Sequence, residues 1–202
     1  MSDTSLTPKI RMQNKGKINL EEFFSKDTKI KYACVRQAVA LSMENPAELY
    51  SDIDFFVKLW KSSNNVFRWV SIQIVGNLSR VDKKKKIDKL LPKFISFLKS
   101  GELITANNAI LALTEIGRNK PKHLDKIIKE ILKIEDYKFS TLECRNIAIG
   151  KTLFALDQLK NQTKNQREII SFVKRQTKNP RSATRKKAQD LLKKISKVAK
   201  QV

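Results

Sequence analysis

The sequence predicts an all-α solenoid of about four to five stacked helical pairs. Three observations predict it. Apolar residues recur at helical spacing along most of the chain, and one apolar frame returns about every 40 residues. Gly and Pro number only five each in 202 residues, too few for an all-β chain full of tight turns. The composition, 41% hydrophobic and 31% charged, is enough to bury a core.

The first set of helices (A) is read from the frame. Phe67, Val70, Ile74, Val75 and Leu78 form one stripe, and Ala109, Ala112, Leu113 and Ile116 form the next. Aligned on these, Arg68, Ala106, Arg145 and Arg185 are equivalent and lie 38, 39 and 40 residues apart. An earlier copy, KIKYACVRQAVALSM, occupies 29–43. The second set (B) lies between: DIDFFVKLW, IDKLLPKFISFL, HLDKIIKEILKI and REIISFVKRQ. In the third, Leu124, Ile127, Ile128, Ile131 and Ile134 share a face, and Asp125, Lys126, Lys129, Glu130 and Lys133 share the other. Asn45-Pro46 and Asn119-Lys120-Pro121 break A from B, and Asn179-Pro180 separates repeats. The predicted units are 28–64, 65–102, 103–140, 141–180 and a half repeat or cap at 181–198.

Residues 1–18 are polar and are expected to form a flexible basic arm. Asn19, with Glu22 three residues on and Phe23-Phe24 behind it, signals a short capping helix over the first repeat. The repeat domain is thus expected to span 19–198.

The stretches VFRWVSIQIVGNLS and ANNAILALTEIG resemble the first helix of the HEAT repeat, V-R-x-x-A-x-x-A-L-G-x-I-G. The resemblance covers 28–198. It implies a right-handed superhelix, with A-to-B loops along one edge and B helices on the concave face. The family often carries an aspartate before the helix-A arginine. Here Asn64-Asn65 and Asn179-Pro180 stand there, with Arg68, Arg145 and Arg185 retained.

Catalytic and metal chemistry find little material. The two cysteines, Cys34 and Cys144, and the single histidine, His123, have no ligand spacing, so no cofactor or metal is expected. The cysteines read as buried thiols of a reducing compartment. The start shows no apolar signal core and no membrane span follows, so a soluble cytoplasmic protein is expected. HEAT-like alkylpurine DNA glycosylases place a catalytic aspartate one turn after a tryptophan. Here Gln73 follows Trp69, and an amide can act neither as a general base nor as a carboxylate, so the reading is non-enzymatic. Trp60 continues the stripe Ile53, Phe56, Val57 and is expected in the core. Trp69 falls off its stripe and is expected either against the next repeat or exposed.

Charge points to a partner. Lys and Arg number 42 against 20 acids, a net +22, and a chain this basic attracts polyanions. The A-to-B loops place Lys83, Lys84, Lys85, Lys86, Lys120, Lys122, Lys160, Lys164 and Arg167 on one edge. The opposite turns, SSNN, SGEL and IEDYKFS, are neutral or acidic until the last, KNPRS. Helices B add Lys58, Lys61, Lys89, Lys93, Lys126, Lys129, Lys133, Lys174, Arg175 and Lys178, with Asp125 and Glu130 diluting the third row. The last helix is expected to dock Ala188, Leu191, Leu192, Ile195 and Val198 and to show Arg185, Lys186 and Lys187 outward. From Lys174 onward eleven cations face one acid, Asp190. The expected function is a binding module for nucleic acid or a ribonucleoprotein, with a scaffold for an acidic protein as the alternative.

Overall fold

The computed structural model describes residues 18–198. Ten α-helices, named in chain order, build it: α1 (Thr28–Glu44), α2 (Ala47–Tyr50), α3 (Ile53–Lys58), α4 (Asn65–Asn77), α5 (Lys86–Leu98), α6 (Leu103–Asn119), α7 (Leu124–Leu132), α8 (Leu142–Leu159), α9 (Gln166–Gln176) and α10 (Ser182–Val198). There is no strand among the described residues, and the fold is an all-α solenoid. Helices α1, α4, α6, α8 and α10 form layer A, each packed on the next. Helices α2–α3, α5, α7 and α9 form layer B.

Local chemistry starts and stops these helices. Asp27 and Asn64 cap α1 and α4, each carboxyl or amide oxygen accepting two backbone N–H groups, and Thr141 caps α8. The first B helix is split. Pro46 opens α2, and Asp52 separates it from α3, which runs on as a 3₁₀ turn, Leu59–Lys61. At the N-terminal end the expected capping helix is a 3₁₀ turn, Leu20–Phe24, with Asn19 accepting from the Glu21 N–H. It seats Phe23, fully buried, among the rings of Phe55, Phe56 and Phe67 at centroid distances of 5.4, 6.2 and 5.5 Å. Ile18, assigned to the arm by its polar surroundings, is instead buried in the same core. The rest of that arm, 1–17, and the side chain of Val198 lie outside the description.

The B stripes are buried as a unit: Leu124, Ile127, Ile128, Ile131 and Ile134 are all shielded from water. Helix α10 docks Ala188 and Leu191, with Leu192 and Ile195 half-buried. Layer A differs from its predicted stripe. In α4, Val70 is half-exposed, while Ser71, Ile72, Gly76 and Asn77 are buried. The reason is that α4 has a neighbour on each side and layer B beneath it, so small and polar positions off the stripe are covered while the outer side stays open. The approach to α6 is closest at Gly76, where an added Cβ would stand 2.5 Å from both Cα and Cβ of Ala112.

Trp60 packs edge-on to Phe94 and Phe97, both at 5.3 Å. Trp69 contacts the next repeat, its Nε1–H donating to Thr105 Oγ1 at 3.2 Å.

The two thiols differ. Cys34 is buried, and burial, followed by the nearby Glu22 charge, pushes its pKa up to about 11. Cys144 is only half-buried, contrary to expectation, because it lies in the first turn of α8 rather than in its core. Hydrogen bonds with the Thr141 and Ser140 hydroxyls hold its thiol below the ordinary value. A chromogenic thiol reagent at pH 8 is expected to titrate one cysteine quickly in the folded chain, and Cys144→Ser should abolish that phase. Cys34 should react only on unfolding.

Candidate functional site

The A-to-B connections of successive repeats meet along one edge and are tied together by polar groups. Tyr50, the last residue of α2, donates its hydroxyl to Asp82 Oδ1 at 2.6 Å and accepts the Lys84 N–H at 3.2 Å. Asp82 has no exposed side-chain surface. It accepts the N–H groups of Lys86 and Ile87, 2.9 and 3.1 Å, capping α5 from four and five residues away. Lys120 reaches it from the next repeat, Nζ to Oδ2 at 2.7 Å, and also lies 3.1 Å from Asp88. Asp88 binds Lys122 as well and stands 3.0 Å from His123 Nε2. One repeat on, Asp125 accepts the Thr163 hydroxyl at 2.7 Å and the Lys164 and Asn165 side-chain or backbone N–H groups.

These electrostatics are internally balanced. Burial alone would raise the Asp82 carboxyl; Lys120 and the Tyr50 hydroxyl more than offset that and hold it below its ordinary value. Asp88 is likewise penalised by burial, but Lys122, Lys120 and His123 carry it far below the carboxylate range. Lys120 loses solvation on burial yet is raised, because two carboxylates face it. Burial and the bond to Asp82 push Tyr50 up to about 12.

Elsewhere the acids are also engaged between repeats. Asp54 holds Lys86, Glu102 lies near Arg68, Glu135 holds Arg175, Glu143 holds Arg181, and Asp157, which also holds its near neighbour Lys160, takes Lys194. Bonds of this kind join residues 32 to 41 apart in sequence. Neutral pairs complete the ladder: Asn77 to Ser42, Asn119 to Ser79, and Asn179 to Asn146. Arg185 turns back onto the Asn179 and Pro180 carbonyls.

The predicted cations therefore divide. Lys120 is nearly buried between two carboxylates, and Lys86, Lys122, Arg175 and Arg185 each have a partner. Lys83, Lys84, Lys85, Lys89, Lys93, Lys126, Lys129, Lys164, Arg167, Lys174, Lys178, Lys186 and Lys187 are exposed, and none is in an ion pair among the described residues. Lys93 lies 4.9 Å over the Phe97 ring. On layer B, a depression between α7 and α9 gathers Lys129, Lys133, Arg167 and Arg175 together with Glu130, Glu135, Asp136 and Glu168, so charge there is mixed.

The loop of lysines has one strained member. Lys85 stands at φ 55°, ψ 29°, the left-handed region, directly ahead of α5. Glycine or asparagine would occupy that conformation at lower cost. Lys83 and Lys85 also bond back to the carbonyls of Val81 and Asp82. The loop is thus pre-shaped around the buried Asp82, with its lysine side chains outward.

His123 is half-buried against Asp88. No cluster of metal-ligating side chains occurs among the described residues, and no described helix is long and apolar enough to cross a membrane. What sequence reading missed is the ladder itself. Its signal was the aspartates at the start of successive B helices, Asp82 or Asp88 and then Asp125, each matched by a donor one repeat later.

Fold and site together define a helical-repeat solenoid with a polar, lysine-bearing edge. No protein-family model and no curated protein matches the chain. Among solved structures, a designed armadillo repeat protein, YIII(Dq)4CqI, is similar at 12% identity and a TM-score of 0.33, over 86% of this chain and 96% of that one.

Proposed function

We propose that this protein is a non-enzymatic, HEAT-like binding module whose lysine edge and layer B hold a polyanion, nucleic acid or a ribonucleoprotein. One observation carries the reading. Carboxylates such as Asp82, Asp88 and Asp157 are engaged in bonds between repeats, while lysines such as Lys83, Lys84 and Lys85 face solvent outside any ion pair among the described residues. Such cations suit contacts to phosphates, which position a nucleic acid without reading its bases. The strained Lys85 supports it: a backbone penalty retained beneath an exposed charge is typical of a functional loop.

The test neutralises the loop. Lys83→Gln, Lys84→Gln and Lys85→Gln together are expected to weaken duplex binding. They should also make its salt slope shallower by about 2.7, at about 0.9 for each phosphate no longer neutralised. Surface changes of this kind should leave the unfolding midpoint nearly unchanged. Binding that is untouched by the triple substitution removes the loop from the interface.

A further inference from the structure

Layer A presents a different surface. Of the large apolar side chains exposed among the described residues, all but Phe24 lie on A helices: Ile30, Met43, Ile104, Leu142 and Phe154. Two depressions run across this layer and meet at Met43. One, about 450 Å³, lies between α1 and α4 and is walled by Val35, Val39, Ala40, Val66 and Val70. The other, about 360 Å³, continues over α4, α6 and α8 past Leu111 to Phe154. Met43 and Phe154 are each 48% exposed, in a chain whose other helix faces put lysine in water.

The charge along this trough is mainly positive. Arg36, Arg80 and Arg118 line it, and Lys151 lies 5.8 Å over the Phe154 ring. The single acid lining it is Glu115, which is already paired with Arg118. Arg80 is fixed by the Met43 carbonyl at 2.6 Å, and Arg118 also binds Gln158 across to α8. The guanidinium groups are therefore held at the rim instead of sweeping through solvent.

We infer that this trough docks an amphipathic helix of a protein partner, with apolar anchors on one face and carboxylates flanking them. Charge selects that occupant. A second copy of this chain would bring the same arginines against their own kind. The N-terminal residues carry Lys9, Arg11, Lys15 and Lys17 against Asp3 and would be repelled. Nucleic acid would find arginines at the rim, but the floor of Val35, Val39, Val66 and Val70 is apolar and offers its sugar-phosphate backbone no partner. Helices packed about 9 Å apart make the trough roughly 27 Å long from α1 to α8, the length of about 18 helical residues. Apolar anchors at helical spacing are the usual way a helix fills such a groove. The trough shares no lining residue with the lysine edge, so it stands whether or not nucleic acid binds there.

The probe is a labelled synthetic 18-residue peptide, with leucines at i, i+4, i+7 and i+11 and glutamate elsewhere, followed by anisotropy with the full chain at moderate salt. Saturable binding is expected, weakened at least tenfold by Leu111→Asp or Phe154→Glu. A peptide with lysine for glutamate should bind at least tenfold more weakly, and Arg80→Glu with Arg118→Glu should reverse that preference. The Lys83–Lys85 substitutions should have no effect. Equal binding of a peptide with shuffled leucines would overturn the inference. So would loss of binding through the loop lysines alone, or self-association abolished by Phe154→Glu. Circular dichroism confirms that each variant is folded, and the charge reversal reads the site even if Leu111→Asp unfolds.

Discussion

Asp82→Ala is expected to destabilise the fold by about 3 kcal/mol, the lower end for removing one partner of a buried ion pair. Three losses combine. Lys120, only 11% exposed, keeps a single carboxylate at 3.1 Å. The Tyr50 hydroxyl loses its acceptor, and the Lys86 and Ile87 N–H groups lose the cap of α5. Asp88 stays beside Lys120, which is why the upper end is not expected. Lys120→Met in the same background should recover part of the loss, because it removes the charge left over; a double-mutant cycle on urea midpoints measures that coupling. The pH dependence follows from the same groups. Asp82 and Asp88 are held below their unfolded value of about 3.9, so their stabilisation is full above it and is lost as pH falls through their folded values. Lys120 is raised above about 10.4, so its share persists at neutral pH and is lost only as pH rises past its folded value. Asp82→Ala should therefore flatten the acid limb of stability against pH.

Gly76→Val is expected to destabilise by about 3 kcal/mol, the upper end for overpacking. Better helix propensity than glycine offers only a small compensation. The obstruction is backbone, since a Cβ would lie 2.5 Å from Ala112 Cα, so no rotamer change relieves it. Helices α4 and α6 must separate, and with them the Trp69–Thr105 bond. In a chain of about 200 residues the expected fall in melting temperature is about 6–12 °C. A solenoid couples through nearest neighbours, so weakening this one interface should also split unfolding into two transitions. By contrast, at Gly150 the nearest atom is the Thr184 hydroxyl oxygen at 2.9 Å, and Ala there should cost less.

The B helices were the most legible in the sequence. In α7 the contrast between isoleucines and lysines is strong, and every stripe position is buried. Layer A was legible as helix but not as face. Small residues such as Ala112 and Gly76 set how closely helices approach, and buried polar residues such as Ser71 and Asn77 break the apolar stripe. The candidate edge was legible as a count of lysines and not as their state. Lys120 and Lys83 look alike in sequence, yet one sits between two carboxylates and the other faces water. That difference depends on residues distant in the chain, such as Asp82 for Lys120, a separation that local periodicity does not encode.

The proposed function requires solvent-facing lysines to hold a polyanion through its phosphates. It is tested most directly by the affinity of the full chain for a labelled duplex, measured across salt concentrations. About six engaged lysines predict a log–log slope near −5, and so roughly a thousandfold loss between about 50 and 200 mM salt. No binding at low salt, or an affinity that hardly moves over that range, would contradict it.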